Sequence, residues 1–167
     1  MTDHINLFEI VGEAPTMDDL LNTSGAESSK PIEITLDEAK TLLADAVKEK
    51  GADYVYQNVD SPHGNPTCAY FDPTTGAPSC IVGHVIAAKG ATRERLDNRE
   101  QNLYTDVQGL VHAEIIKVDN ETHALLTIAQ EKQDRDVSWG EAVKGALEGY
   151  EERAREYEGD VSEDYEW

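Results

Sequence analysis

A chain of 167 residues with 34 aspartates and glutamates against 14 lysines and arginines carries a formal net charge of -20. That length suits one domain with a core large enough to need no cross-links. The charge excludes a strong electrostatic grip on nucleic-acid phosphates or anionic lipid, because neither meets a complementary surface.

Hydrophobic residues make up 39% of the chain, somewhat below the usual globular share. No run is long enough to cross a bilayer, and the first residues lack a basic region followed by an apolar core. Two cysteines without a secretion signal point to a reducing compartment, so the expectation is the cytoplasm. The acidic surface would attract a basic partner protein and speed the encounter. Solubility, adaptation to high salt and mimicry of a nucleic-acid backbone all remain open as reasons for it.

Residues 1–31 read as an acidic, partly mobile N-terminal arm. Asp3, Glu9, Glu13, Asp18, Asp19 and Glu27 precede the first lysine or arginine, Lys30. Asn22–Pro31 has linker chemistry, while Ile5–Val11 is a short apolar knot suited to docking. The body, residues 32–158, opens with Thr35 and Glu38 at capping-box spacing. Leu36, Ala39, Leu43, Ala46 and Val47 then recur with helical period, and Gly51 marks a stop. Ala52–Val59 reads as a strand, Asp60–Pro66 as a turn and Thr67–Phe71 as a second strand. This predicts a small antiparallel hairpin.

Ser79 suits a helix cap. The following Cys80–Lys89 is apolar on nearly every side, so it belongs inside the domain, with Gly83 permitting close backbone approach. Residues 92–102 are highly charged and read as an exposed loop or turn of helix. Leu103–Val118 has helical spacing, although Ile115–Val118 favours a strand. Glu121–Gln133 is a clean helix with Leu125, Ile128 and Ala129 on its face. Ser138 and Glu141 open the last helix, whose stripe is Trp139, Ala142, Val143, Ala146, Leu147, Tyr150 and Ala154. Residues 159–167 form an acidic C-terminal tail. The expected fold is therefore a helix-rich single α+β domain, its antiparallel β-hairpin packed on helices and acidic tails at both ends.

His63, Cys68, Cys80 and His84 are the sharpest chemical constellation. All four are zinc-ligand types, and together they would make a closed, structural Cys2His2 site. Their separations of five, twelve and four residues match no zinc-finger spacing. Ordinary burial of the cysteines, with hydrogen-bonded histidines, accounts for the same residues without a cofactor. A third reading makes Cys80 a nucleophile at a helix start, with His84 as base and Asp72 as orienting acid. A fourth pairs Cys68 with Cys80 as a redox couple, without the C-x-x-C spacing of thioredoxin-like proteins.

Paired carboxylates such as Asp18/Asp19, Glu151/Glu152 and Glu163/Asp164 arise freely in so acidic a chain and read as solvated surface. Gln130, Gln133 and Asp134 could line a polar groove beside Trp139. Tyr54, Tyr56, Tyr70 and Phe71 could form an aromatic platform for a partner, or pack a sheet on helices with their hydroxyls in water. His112 and His123 read as ordinary, partly exposed histidines. Phosphate-loop, dinucleotide-binding and nucleic-acid-binding signatures are absent.

Two stretches carry a resemblance. C-A-Y-F-D-P-T-T-G-A-P-S-C-I-V-G-H-V-I-A-A-K-G and A-L-L-T-I-A-Q-E-K-Q-D-R-D-V-S-W-G-E-A-V-K-G-A resemble a family of small uncharacterised proteins of actinobacterial bacteriophages. The similarity lies in a cysteine-containing strand and turn, the C-I-V-G-H helix start, and a later Q-x-x-Q-D followed by W-G-x-A. It runs over Thr67–Gly90 and Ala124–Ala146, less than a third of the chain. The resemblance implies a bacterial host cytoplasm and an accessory role during infection, and counts against a salt-adapted source. The expected function is protein–protein interaction with a host or phage protein. The alternatives are a cysteine–histidine hydrolase or transferase, a zinc-stabilised binding domain, and a nucleic-acid-mimicking inhibitor. The alanine-rich final helix leaves room for a homo-oligomer.

Overall fold

The computed structural model describes residues 30–60, 66–96, 102–103 and 105–159. Of the expected arm over residues 1–31 only Lys30 and Pro31 are described, and of the expected tail over 159–167 only Gly159; His63 also lies outside the described residues. Apart from Lys30, all that is described belongs to one unit, Pro31–Trp167.

Strand β1 is Ile32–Glu33, and helix α1 follows at Leu36–Lys50. The Thr35–Glu38 capping box starts the helix. The Glu38 N–H donates to Thr35 Oγ1 at 3.4 Å, and the Thr35 N–H donates to Glu38 Oε2 at 3.0 Å. Ala39, Leu43 and Ala46 form its buried stripe, and Gly51, at φ 100°, ends it where a side chain would be strained. Strands β2 (Val59–Asp60) and β3 (Pro66–Thr67) follow, then α2 (Ile81–Ala88) and a single 3-10 turn at Arg93–Arg95. Helix α3 is Val107–His112, β4 is Ile116–Lys117, α4 is Asn120–Gln133 and α5 is Trp139–Gly159.

The expected antiparallel hairpin packed on helices is corrected. The sheet tied to the helices is a parallel pair, β1 with β4, in the register Ile32↔Ile116 and Glu33↔Lys117. The Ile32 N–H donates to the Ile115 carbonyl at 2.9 Å, and the Lys117 ammonium meets the Glu33 carboxylate at 2.7 Å. Antiparallel pairing between β2 and β3 is confined to two residues on each side. The predicted strands fail for a physical reason: their backbone groups are used elsewhere. The carbonyls of Ala52 and Tyr54 accept from the Gly140 and Trp139 N–H groups at 2.9 and 2.8 Å, satisfying the first turn of α5. On the other segment, the Ala69 N–H donates to the Tyr56 hydroxyl, and Asn102 binds the backbone of Tyr70 and Phe71.

Two further expectations change. The predicted helix over Leu103–Val118 is two elements. Asp106 caps the short α3 by accepting from the Gly109 N–H at 2.8 Å, Glu114 turns the chain at φ 54°, and the β-prone Ile115–Val118 run supplies β4. Asn102, placed by sequence in an exposed loop or turn of helix, is 2% exposed. Its side-chain amide brackets Phe71, accepting from the N–H at 2.9 Å and donating to the carbonyl at 2.7 Å.

Helix α2 lies in the interior, with Ile81, Val82, Val85 and Ile86 fully buried, and packs against α1 and α4. A methyl group at Gly83 would overlap the Tyr70 backbone carbonyl, so the chain here passes directly over α2. Helices α4 and α5 form the most extensive helix pair. Trp139, Ala142, Ala146, Tyr150 and Ala154 bury along α5, whereas Leu147, assigned to the same stripe, is 42% exposed. The aliphatic stem of Lys132 occupies the space that Gly145 leaves free.

Candidate functional site

Cys80, not the expected Ser79, is the N-cap of α2. Its sulfur accepts from the Gly83 N–H at 3.3 Å, while the Ser79 hydroxyl sits 3.1 Å from the Tyr56 hydroxyl. The Cys80 N–H donates to the Ala69 carbonyl at 3.0 Å, and the Ser79 N–H donates to the Tyr70 carbonyl at 2.9 Å. These bonds bring the residue before Ala69, the half-buried Cys68, beside the fully buried Cys80. Both cysteines are free thiols. Hydrogen bonding to Cys80, together with burial, drives the Cys68 pKa far up, opposed by the Gln133 amide.

Two glutamines of α4 complete this cluster. Gln133 is 1% exposed. Its Oε1 accepts from the Ile81 N–H at 2.7 Å, satisfying a first-turn amide of α2. Its Nε2 lies 3.4 Å from the Cys68 sulfur and donates to Asp134 Oδ1 at 3.0 Å. Gln130 Oε1 accepts from the Tyr70 hydroxyl at 3.3 Å, with its Nε2 3.8 Å from Cys68. Loss of solvent around the Asp134 carboxylate raises its pKa, against the hydrogen bond from Gln133. Asp134 is nonetheless exposed as a whole residue, at the outer end of the cluster.

No family model matches the chain, and no solved structure matches it.

The sequence-derived constellation is brought together only in part. Cys68 and Cys80 meet. The His84 imidazole instead packs edge-on against Trp139, centroids 5.3 Å apart, and its Nδ1 lies 3.6 Å from the Glu49 carboxylate. Burial lowers the His84 pKa, and Glu49 opposes that effect. Asp72, the candidate orienting acid, closes its own turn by accepting from the N–H groups of Thr74 and Thr75, each at 2.8 Å. The hydrogen bonds from Thr75 and Thr74 lower its pKa. Among the described residues no three histidine, cysteine or acidic side chains converge as metal ligands.

The proposed contact residues also divide by depth. Tyr56 and Tyr70 are 3% and 1% exposed, with their hydroxyls engaged inside the protein. Burial raises both phenol pKa values. Phe71, Gln130, Gln133 and Trp139 are buried as well, while Tyr54 is half-buried against the Trp139 edge at 4.9 Å. Surface concavities of about 340 and 350 Å³ open elsewhere, one beside Tyr157 and His123 and the other beside Arg153 and Lys132.

Sequence reasoning missed Asn102 and the capping role of Gln133. Nothing in R-E-Q-N-L distinguishes Asn102 from its exposed neighbours. Gln133 carried a usable signal: it lies four residues after Ala129, so one helical turn places it on the same inward side.

Proposed function

We propose that the chain is an acidic, phage-type accessory protein that acts by binding a host or phage protein with a basic surface, in the bacterial host cytoplasm. The observation that carries this reading is a strongly acidic exterior over an interior that encloses Cys80. Cys80 and the apolar side chains of α2 are enclosed, away from any substrate approaching from solvent. Acidic side chains remain exposed along the outer helices, including Asp37, Asp45 and Glu49 on α1 and Glu141, Glu148, Glu151, Glu152 and Glu156 on α5. With the formal charge of -20, this surface is suited to fast, screened association with a cationic protein.

The test is capture of binding proteins from a bacterial lysate, followed by association kinetics with the purified partner over a range of salt. A basic partner whose association rate falls steeply with added salt supports the reading, as does a further fall when Glu148, Glu151 and Glu152 are changed to lysine. A rate indifferent to both salt and these substitutions rejects electrostatic steering. The absence from the described residues of a helix long and apolar enough to cross a membrane agrees with a partner met in solution.

A further inference from the structure

We propose that Cys68 and Cys80 are a redox-sensitive pair that closes into an intramolecular disulfide on exposure to hydrogen peroxide and reopens with thiol reductant. The geometry carries this assignment. The Phe71–Pro78 antiparallel bridge starts a local pairing continued by Ser79 with Tyr70 and Cys80 with Ala69. That antiparallel pairing, with the Gln133 side chain touching both the Cys68 sulfur and the Ile81 N–H, holds Cys68 beside Cys80. Each sulfur also faces N–H donors. The Gly83 amide points at Cys80, and the Gln133 side-chain amide points at Cys68. The Gln133 amide opposes the rise in the Cys68 pKa but is outweighed by Cys80 and by burial, so oxidation of Cys68 is expected to be slow and to need peroxide in excess. Cys68 is half-buried and Cys80 is wholly enclosed, which makes Cys68 the entry point and Cys80 the resolving thiol.

The chemistry balances without a metal or cofactor. The Cys68 sulfur, having given up its proton, attacks one peroxide oxygen. The O–O bond breaks, and the departing hydroxide takes a proton to become water, leaving Cys68 as a sulfenic acid. The Cys80 sulfur then attacks the Cys68 sulfur, the S–O bond breaks, and the hydroxyl leaves as a second water with the Cys80 proton. Two thiols and one peroxide become one disulfide and two waters. Closure withdraws Cys80 from the Cys68 hydrogen bond and ties the segment before Ala69 covalently to the start of α2.

The experiment uses the full chain, reduced and then treated with hydrogen peroxide. After quenching, the protein is denatured, labelled with a maleimide and weighed intact. The reduced chain should take two labels and the treated chain none, with two recovered after reductant. A peptide map of the oxidised chain should join the peptides containing Cys68 and Cys80. Retention of both labels after peroxide would overturn the proposal. So would oxygen-bearing sulfurs without a cross-link, or cross-links only between chains. Cys68→Ser and Cys80→Ser should each abolish the internal link, and the mass shift of the wild-type chain remains decisive if either variant folds poorly.

Discussion

Gln133 shows how much one polar side chain can hold inside this core. A buried amide must satisfy both its ends, and here the oxygen serves the Ile81 N–H while the nitrogen serves Cys68 and Asp134. Gln133→Leu keeps most of the volume but leaves the Ile81 amide buried without its partner. An unsatisfied buried donor costs about 1–3 kcal/mol, so urea unfolding of this variant should show a loss of that size. A change within a few tenths of a kcal/mol would mean that the Ile81 amide readily finds another acceptor. The residue types of the cluster were visible in the sequence, but their directions were not. Cys80 and His84 share helical spacing, yet the imidazole packs on Trp139 from a helix more than fifty residues later. Local spacing contains no information about that neighbour.

Among the elements, Gly83 on α2 and Gly149 on α5 sit in opposite surroundings, and the difference predicts opposite outcomes for the same substitution. Alanine is the better helix former by about 1 kcal/mol. At Gly83 that gain meets a methyl group overlapping the Tyr70 carbonyl, a backbone atom that cannot swing aside. Overpacking costs about 1–3 kcal/mol, so Gly83→Ala should lower the thermal midpoint despite its propensity. At Gly149 the added carbon would sit 3.6 Å from Ile128 Cδ1, an ordinary contact. Gly149→Ala should therefore raise the midpoint, and paired thermal melts check both signs. Helices α1, α4 and α5 were legible because caps and a 3.6-residue period are local signals. The hairpin was misread because extended, β-prone residues around Tyr54 and Tyr70 spend their hydrogen bonds on α5 and Asn102 instead of on each other.

On the scale of the whole molecule, charge is the dominant physical fact. A formal charge of -20 makes the folded chain repel itself, and compaction brings those charges closer together. Two ion pairs among the described residues show how little such contacts relieve this. Lys117–Glu33 is largely exposed and Lys89–Glu38 is partly exposed, and pairs in such settings contribute little. Moderate addition of sodium chloride should consequently raise the urea midpoint at neutral pH, as screening weakens the general repulsion more than it weakens those pairs. A midpoint that falls with salt would show that specific ion pairs outweigh the net charge. The amino-acid sequence by itself determined this acidity, the apolar interior character of Cys80–Lys89, and the long helices, because composition, hydrophobicity and capping act over one or a few turns. Only the tertiary structure decided that Ile32–Glu33 lies parallel to Ile116–Lys117, that Cys68 meets Cys80 under the Gln133 amide, and that His84 belongs to Trp139. Those are pairings between distant segments, and each is selected by which backbone and polar groups remain unsatisfied once the helices have packed.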